Sequence, residues 1–204
     1  MAKAGVCGAA AVLLSATALG AQTTPPPPAW WASQGAPRLE QVHDDVLRRR
    51  QVPYMHQRTY LDLASYRRRV PDGGADLLAP AREGRVWVGI SDRFLVSVGA
   101  AARREILARI LSEALQKVGG SVADPEVKAF LDFSARSLDE GDTVTYLYAP
   151  AGRFWVRYNG EPPRLFRNAP LYRAMLALEF GPDPDNPQWL EGLISACRAH
   201  LPPS

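Results

Sequence analysis

The feature that most constrains the fold is a pair of alternating segments, residues 143–148 and 154–158, joined by a short break. Period-two alternation of apolar and polar side chains is typical of a β-strand with one buried face. The break, Pro150-Ala151-Gly152, has the composition of a tight turn, so the two segments predict an antiparallel hairpin. Its apolar face consists of Val144, Tyr146, Tyr148, Phe154, Val156 and Tyr158. A face this aromatic needs a second layer to cover it.

From residue 106 onward, four segments have the spacing of amphipathic helices. The clearest is residues 106–118, where apolar residues recur at i, i+3, i+4 and i+7 before Gly119-Gly120 ends the run. This pattern places three arginines outside the apolar face: Arg103, Arg104 and Arg109. A second helix begins near Asp124-Pro125, and two more cover residues 171–178 and the segment that opens near Trp189. The order of elements predicts an α+β fold, with helices packed on one face of a mostly antiparallel sheet.

The segments that precede the clearest helix give less regular patterns. Residues 38–50 predict a short helix, because apolar residues recur at helical spacing, acids come early and three arginines come last. The apolar residues of this segment are Leu39, Val42, Val46 and Leu47. Residues 54–66 fit either a strand or a helix, and residues 72–84 read as a loop. Residues 86–98 predict two strands around a Ser91-Asp92 turn, with one bent strand as the alternative.

Between Glu140 and Leu193, short motifs follow one another in a fixed order. They are Glu140-Gly141-Asp142-Thr143-Val144-Thr145-Tyr146, Tyr158-Asn159-Gly160, the helix Leu171 to Phe180, Gly181-Pro182, Trp189-Leu190 and Gly192-Leu193. In this order the motifs resemble the bacterial chalcone-isomerase-like family, and the resemblance extends over roughly residues 84 to 195. It implies an open-faced β-sandwich, in which a ligand lies between the sheet and the helices.

The resemblance also implies which residues catalysis of the plant type would need. Plant chalcone isomerases use an arginine together with tyrosine, threonine and asparagine donors. Arg58 is the candidate for the arginine. Where the plant enzymes have tyrosine and asparagine, the start of the long helix offers Ala101, Ala102 and Arg103, then Arg109, and residues 165–168 contain no threonine. Each missing donor removes a few kcal/mol of transition-state stabilisation. We therefore expect non-catalytic binding of a small apolar or fatty-acid-like ligand; the alternative is an intramolecular lyase or isomerase that uses a different residue set.

Binding of this kind requires a long apolar cleft with one cation at its mouth for the ligand carboxylate. Arg58, or one of the arginines around Arg67, could supply that cation. The predicted ligand-binding residues are Arg58, Tyr60, Tyr146, Tyr148 and Tyr158. No cofactor and no metal are predicted, because the histidines are widely separated and lack cysteine or carboxylate partners at metal-ligand spacing. The histidines are His43, His56 and His200, and Cys197 is predicted to be a buried apolar residue.

Residues 1–21 have the build of a secretory signal peptide, with Lys3, an apolar run, and small residues before a cleavage point after Gly20 or Ala21. The alternative, a membrane anchor, would need about 20 strongly apolar residues. We expect export to the periplasm, with secretion as the alternative. Residues 22–37 predict a proline-rich linker, whose Trp30-Trp31 pair either binds a partner or a membrane interface, or folds back on the domain. The remaining residues, 38–201, predict one chalcone-isomerase-like domain.

The charge of the chain gives no signal for nucleic-acid binding. Lysine plus arginine number 24 against 21 acidic residues, a formal net charge of +3. The arginines include two clusters, residues 48–50 and 67–69, and contact of these clusters with an anionic membrane surface stays open. The expected partner is a small apolar molecule, not nucleic acid, and the sequence does not indicate an oligomeric state.

Overall fold

The computed structural model describes residues 26–70, 76–182 and 186–201. The predicted leader and residues 22–25 of the predicted linker lie outside this part of the chain. Within it, six strands form one sheet in chain order, and every neighbouring pair is antiparallel. The strands are β1 (Glu40–Arg49), β2 (Val52–Leu61), β3 (Val88–Phe94), β4 (Thr143–Ala149), β5 (Arg153–Tyr158) and β6 (Arg164–Phe166). Strands β4 and β5 form the predicted hairpin.

Seven helices accompany the sheet in the described ranges. They are α1 (Trp30–Ser33), α2 (Leu63–Arg69), α3 (Ala79–Arg82), α4 (Ala100–Lys117), α5 (Pro125–Ser134), α6 (Ala169–Glu179) and α7 (Pro187–Ala199). Helix α4 packs against α5 and α6, α6 also contacts β5, and α7 lies against β1. The predicted α+β class, an open antiparallel sheet with helices, is confirmed. None of the helices within the described ranges is long and apolar enough to span a bilayer.

The register of the strands separates the two faces of the sheet. Residues directly opposite one another in an antiparallel ladder project from the same face. Thr59, Ile90, Tyr146 and Val156 form one row across β2 to β5, and this row faces the helices. The next row projects from the opposite face, which we call the outer face, and consists of Tyr60, Gly89, Leu147 and Trp155. Each side chain of a central strand therefore meets one of two different environments.

The main core fills the layer between the sheet and the helices. Its aromatic centre is a contiguous group of rings, in which Phe154 stacks on Phe166 at 5.3 Å and Phe130 from α5 meets both rings edge-on. Burial of each such ring contributes about 1.5–3 kcal/mol. The helices thus form the second layer that covers the aromatic face of the β4–β5 hairpin.

The N-terminal segment covers part of the outer face. Trp31 is 2% exposed and packs edge-on against Tyr60 with ring centroids 5.1 Å apart. Its indole lies so close to Gly89 that a Cβ atom at that position would overlap it. Of the two interpretations of the tryptophan pair, the structure has the one in which the chain folds back on the domain.

The predicted helix at residues 38–50 is wrong, because this segment is strand β1. Its register on β2 shifts between Gln41 and His43 and again between Leu47 and Arg48. Such irregularities let residues at odd spacing share one face, so Val42 and Leu47 are both buried and the spacing imitates a helix. The turn into β2 uses Arg50 and Gln51 at positive φ, a conformation that glycine and asparagine normally occupy.

Two further segments differ from the expected pattern. Ser91-Asp92 is not a turn, because both residues lie inside the single strand β3, as the alternative of one strand had allowed. The ambiguous residues 54–66 divide between strand β2 and helix α2, whose start is capped by the Asp62 carboxylate accepting from the Ser65 N–H at 3.1 Å. The predicted loop before β3 contains the short helix α3.

Candidate functional site

Polar side chains meet in the middle of the layer between the sheet and the helices. Gln57 of β2 and Asp92 of β3 are only 4% and 5% exposed, and Glu179, the last residue of α6, reaches them from above and is partly buried. The Gln57 Nε2 donates to Asp92 Oδ1 at 3.1 Å and to Glu179 Oε2 at 3.4 Å. One amide group therefore holds two carboxyl groups together.

Local structure fixes the positions of these three groups. Gln57 and Asp92 are direct partners in the antiparallel register, which aims both side chains at the helices. Asn168 is the N-cap of helix α6: its side chain accepts from the Leu171 N–H at 2.8 Å, and a proline follows in the first turn. From that fixed start the helix runs over the sheet and delivers Glu179 at its end.

Burial determines the charge state of the two carboxyl groups. It raises the pKa of Asp92 well above its ordinary range, although the hydrogen bond from Gln57 and the charge of Arg103 act in the opposite direction. Burial also raises the pKa of Glu179, and the neighbouring Asp92 carboxylate raises it further. Two carboxyl groups that share one donor in a desolvated site do not readily ionise together. The pair therefore retains a proton near neutral pH.

A cation lies at one end of the same layer. Arg103, in the first turn of α4, is 6% exposed and donates to the Ser134 carbonyl oxygen and to the Tyr158 hydroxyl, each at 2.9 Å. Its guanidinium also lies over the Tyr158 ring, 5.0 Å from the centroid. The expectation that Arg103 lies outside the apolar face of this helix is therefore wrong. It comes four residues before Leu107, on the apolar stripe itself.

Tyrosines line the layer beyond Arg103. The rings of Tyr146 and Tyr148 stack with centroids 6.2 Å apart, and Tyr148 stacks on Phe154 at 5.5 Å. The Tyr148 hydroxyl donates to Glu179 Oε1 at 3.5 Å. Burial raises the pKa of both Tyr146 and Tyr148 well above the ordinary range, so these phenols stay neutral hydrogen-bonding groups.

Two buried polar atoms of strand β2 on this face lack hydrogen-bond partners among the described residues. They are the Gln57 Oε1 and the Thr59 Oγ1, which belong to alternate residues of β2 and point to the same side of the sheet. A buried polar atom without a partner costs about 1–3 kcal/mol. Both atoms are therefore available to a bound polar group.

The structure does not bring the five predicted binding residues together. Tyr146, Tyr148 and Tyr158 face the helices, whereas Arg58 and Tyr60 project from the outer face. The Arg58 Nε donates to Asp44 Oδ2 at 3.0 Å, and His56 contacts the other oxygen of the same carboxylate. Burial disfavours ionisation of Asp44, but these two hydrogen bonds outweigh it and keep the pKa of Asp44 below its ordinary value.

Sequence reasoning missed Arg103, Asp92, Gln57 and Glu179. A signal for Arg103 exists, because residues 103, 107, 111 and 114 fall on one helical stripe. A signal for Gln57 exists too, because it alternates with the apolar residues Met55 and Leu61 on one face of β2. Nothing in the sequence alone connects Glu179 with either strand, since that contact depends on how α6 crosses the sheet.

Other groups of polar or reactive residues give weaker support for a functional site. The two arginine clusters lie at opposite ends of α7, because the Arg48 N–H donates to Asn186 Oδ1 just before this helix and the Arg67 Nε donates to the His200 carbonyl oxygen just after it. The thirteen residues of α7 separate these two contacts by about 20 Å at the rise of a helix. No group of three or more histidine, cysteine or acidic side chains suited to a metal ion occurs among the residues that the structure describes. Cys197 is fully buried and free, which confirms its prediction as a buried residue.

Comparison with known proteins supports the fold at the level of structure. No protein-family model matches the chain, and no curated protein sequence matches it. The structure is similar to the crystal structure of a fatty-acid-binding protein from Arabidopsis thaliana, with a TM-score of 0.68 and 14% identity, over 79% of this chain and 89% of that one. That neighbour has the chalcone isomerase fold, and the likeness shows this fold alone. Membership of the bacterial family stays a prediction.

Proposed function

We propose that this chain is an exported, non-catalytic domain that binds a small apolar, fatty-acid-like ligand between the sheet and helices α4 and α6. The observation that carries the proposal is the buried Arg103, which shares its hydrogen bonds with Tyr158 beside an aromatic wall. The Arabidopsis neighbour is named for fatty-acid binding, which supports the same class of ligand. A buried guanidinium is well suited to a carboxylate, because it donates in a planar, charge-assisted geometry.

The layer supplies an apolar path that leads away from the cation. Arg103 lies beside Phe94 and Tyr158, which are the last residues of β3 and β5, so the cation lies near one edge of the layer. Successive rows of the sheet beyond it present Tyr146 and then Tyr148. These rings are in mutual contact in the structure. Because these rings are in contact with one another, a ligand would have to move side chains of α4 or α6 away from the sheet to make room for its apolar chain.

Native mass spectrometry of the leader-free protein, purified without detergent, tests this proposal. We expect a bound acyl species, or stoichiometric binding of added dodecanoate. Arg103→Gln should weaken dodecanoate binding tenfold or more, because a hydrogen bond to a charged group contributes about 1.5–3 kcal/mol. Arg104→Gln is the matched control, since Arg104 follows on the same helix but points outward to Asp132.

The control variants also decide between the two faces of the sheet. If Arg103→Gln binds dodecanoate as tightly as Arg104→Gln does, the helix-covered site is not the binding site. If Arg58→Gln alone loses binding, the carboxylate lies on the outer face, at the arginine that the sequence first indicated. Absence of binding to dodecanoate and to a chalcone would overturn ligand binding altogether.

A second candidate function is an intramolecular lyase or isomerase. The buried carboxyl pair Asp92 and Glu179 favours it, because carboxyl groups with raised pKa values near neutrality can exchange protons with a substrate. Turnover of a chalcone, followed by absorbance, tests this candidate. Loss of turnover in Asp92→Asn at unchanged affinity would favour catalysis, whereas binding without turnover supports the non-catalytic proposal.

Export is a separate part of the proposal. Expression of the whole chain followed by intact-mass measurement of the periplasmic fraction tests it. The expected mass corresponds to cleavage after Gly20 or Ala21. Recovery of the uncleaved chain in the cytoplasm would contradict export and leave the binding proposal untouched.

A further inference from the structure

The layer that holds the candidate site contains more acid than base. Asp92 and Glu179 share the amide of Gln57, and Arg103 is the cation whose charge acts on Asp92. The groups around the pair are Arg103 from α4, Tyr146 and Tyr148 from β4, and Tyr158 from β5. On β1, His43 and Asp45 lie opposite Thr59 and Gln57 in the register. The tyrosines contribute no charge at neutral pH.

The position of Glu179 adds to the imbalance. It is the last residue of the eleven-residue helix α6, where the unpaired carbonyl groups give the helix a negative end. A carboxylate there is disfavoured by the helix and by Asp92 together. The hydrogen bonds that Glu179 accepts come from two neutral groups, the Gln57 amide and the Tyr148 hydroxyl. The arrangement suits a carboxyl group that keeps its proton.

Two polar atoms indicate that the cluster is incomplete by itself. The Gln57 Oε1 belongs to the amide that bridges the pair, and the Thr59 Oγ1 lies two residues along the same strand face. Both residues are almost fully buried, at 4% and 0% exposure, and neither atom has a partner among the described residues. A polar head group bound beside the pair would satisfy them.

We propose that binding of a carboxylate at Arg103 is coupled to protonation of the Asp92–Glu179 pair, so that the ligand is taken up together with a proton. This inference rests on the proposed function. A ligand carboxylate at Arg103 takes over the positive charge that now offsets Asp92, and it adds a third negative group to the layer. The pair must then hold its protons more firmly, because no other cation replaces Arg103 in the described part of this layer.

Linkage fixes the direction of the effect. If the ligand favours the protonated pair, protonation favours the ligand by the same factor. Affinity for the carboxylate therefore falls as the pH rises through the range in which the pair ionises. Coupling to one proton corresponds to about a tenfold loss of affinity per pH unit. A ligand of the same length without a carboxylate should show no such dependence.

Calorimetric titration with dodecanoate and with dodecanol tests the coupling. Each titration is carried out near neutral pH in two buffers of different ionisation enthalpy, which reports the number of protons taken up. We expect wild-type protein to take up a proton with dodecanoate and none with dodecanol. Asp92→Asn and Glu179→Gln keep the shape of the side chains but cannot ionise, so uptake should be lost in the double variant. Thermal unfolding checks that the variants fold.

The outcomes separate the coupling from the binding proposal. Failure of both ligands to bind at any pH overturns binding and coupling together. If dodecanoate binds to wild-type protein with an affinity that does not depend on pH, the coupling alone is wrong, whatever the variants do. If proton uptake persists in the double variant, the proton resides on the ligand, and the coupling is wrong again. Uptake in wild-type protein that disappears in the double variant supports the inference.

Discussion

The two faces of the sheet use similar residues in different ways. On the helix-covered face, Arg103 bonds a buried tyrosine, and two carboxyl groups share one amide. On the outer face, Arg58 and His56 meet the Asp44 carboxylate at positions that solvent reaches. Burial makes the difference, because a hydrogen bond to a charge is weakly screened inside the layer and strongly screened outside it. Residue type alone therefore does not reveal which polar group belongs to a site.

The two faces of the sheet also differ in what covers them. Four longer helices close one side, whereas the outer face is covered in part by the short N-terminal segment that carries Trp31. The covering of the outer face depends on Gly89, the residue whose missing side chain admits the indole. One face is thus closed by a layer of helices, and the other is covered in part by a segment that Trp31 anchors.

The largest difference in the free energy of unfolding is expected between substitutions of two arginines, one on each face. Arg103→Gln should lower the free energy of unfolding by about 3 kcal/mol, because it leaves the Ser134 carbonyl and the Tyr158 hydroxyl without their buried donor. Arg58→Gln should cost less than about 1 kcal/mol, because its partner Asp44 is solvated. Urea unfolding of both variants measures the difference. Equal costs would show that burial does not separate the two faces as we argue.

Detaching the N-terminal segment from the outer face should have the next largest effect on the free energy of unfolding. Trp31→Ala is expected to cost about 2 kcal/mol, less than a central core substitution, because the segment can detach without opening the main core. Gly89→Ala should release the same segment by overlap with the indole. Limited proteolysis should then cut within residues 27–39 while the rest of the domain resists. Trp30→Ala is the matched control, since Trp30 is only partly buried, and resistance of the Gly89 variant would contradict the anchoring role.

Much of this architecture could be predicted from the sequence. The hairpin of β4 and β5 and the helices α4 to α7 follow from periodicity, because each presents one continuous apolar face. Strand β1 could not be predicted in this way, since its register shifts break the period of two and its turn uses Arg50 and Gln51. Local rules fail where an irregularity in one strand is stabilised by pairing with another.

The candidate site was less predictable than the fold. Asp92 looked like part of a turn because a buried strand seldom carries a carboxylate, and Arg103 looked exposed because helix arginines usually are. Both violate the local pattern at the place where polar groups gather in the layer. Such violations are expected at functional sites, where a local cost is offset by the rest of the fold. The inward orientation of the three tyrosines could be predicted, because aromatic alternation alone places them on the helix-covered face.

The smallest effect is expected in the pH dependence of stability, and it sharpens the comparison most directly. Burial raises the pKa of Asp92, so the folded state holds its proton at pH values where the unfolded chain has released it. This contribution to stability is complete in acid and is lost as the pH rises toward neutrality, by at most about 1.4 kcal/mol per pH unit. Asp92→Asn should therefore flatten the fall of stability between about pH 4 and 7, by about 1 kcal/mol in total once partial relaxation of the buried pair is allowed for. On the outer face the pKa of Asp44 is lowered, so its contribution to stability is present at neutral pH and is lost in acid. Asp44→Asn should therefore lower stability at neutral pH, and this difference from wild-type protein should disappear in acid. Identical pH profiles for the two variants in thermal unfolding would remove the distinction between the faces.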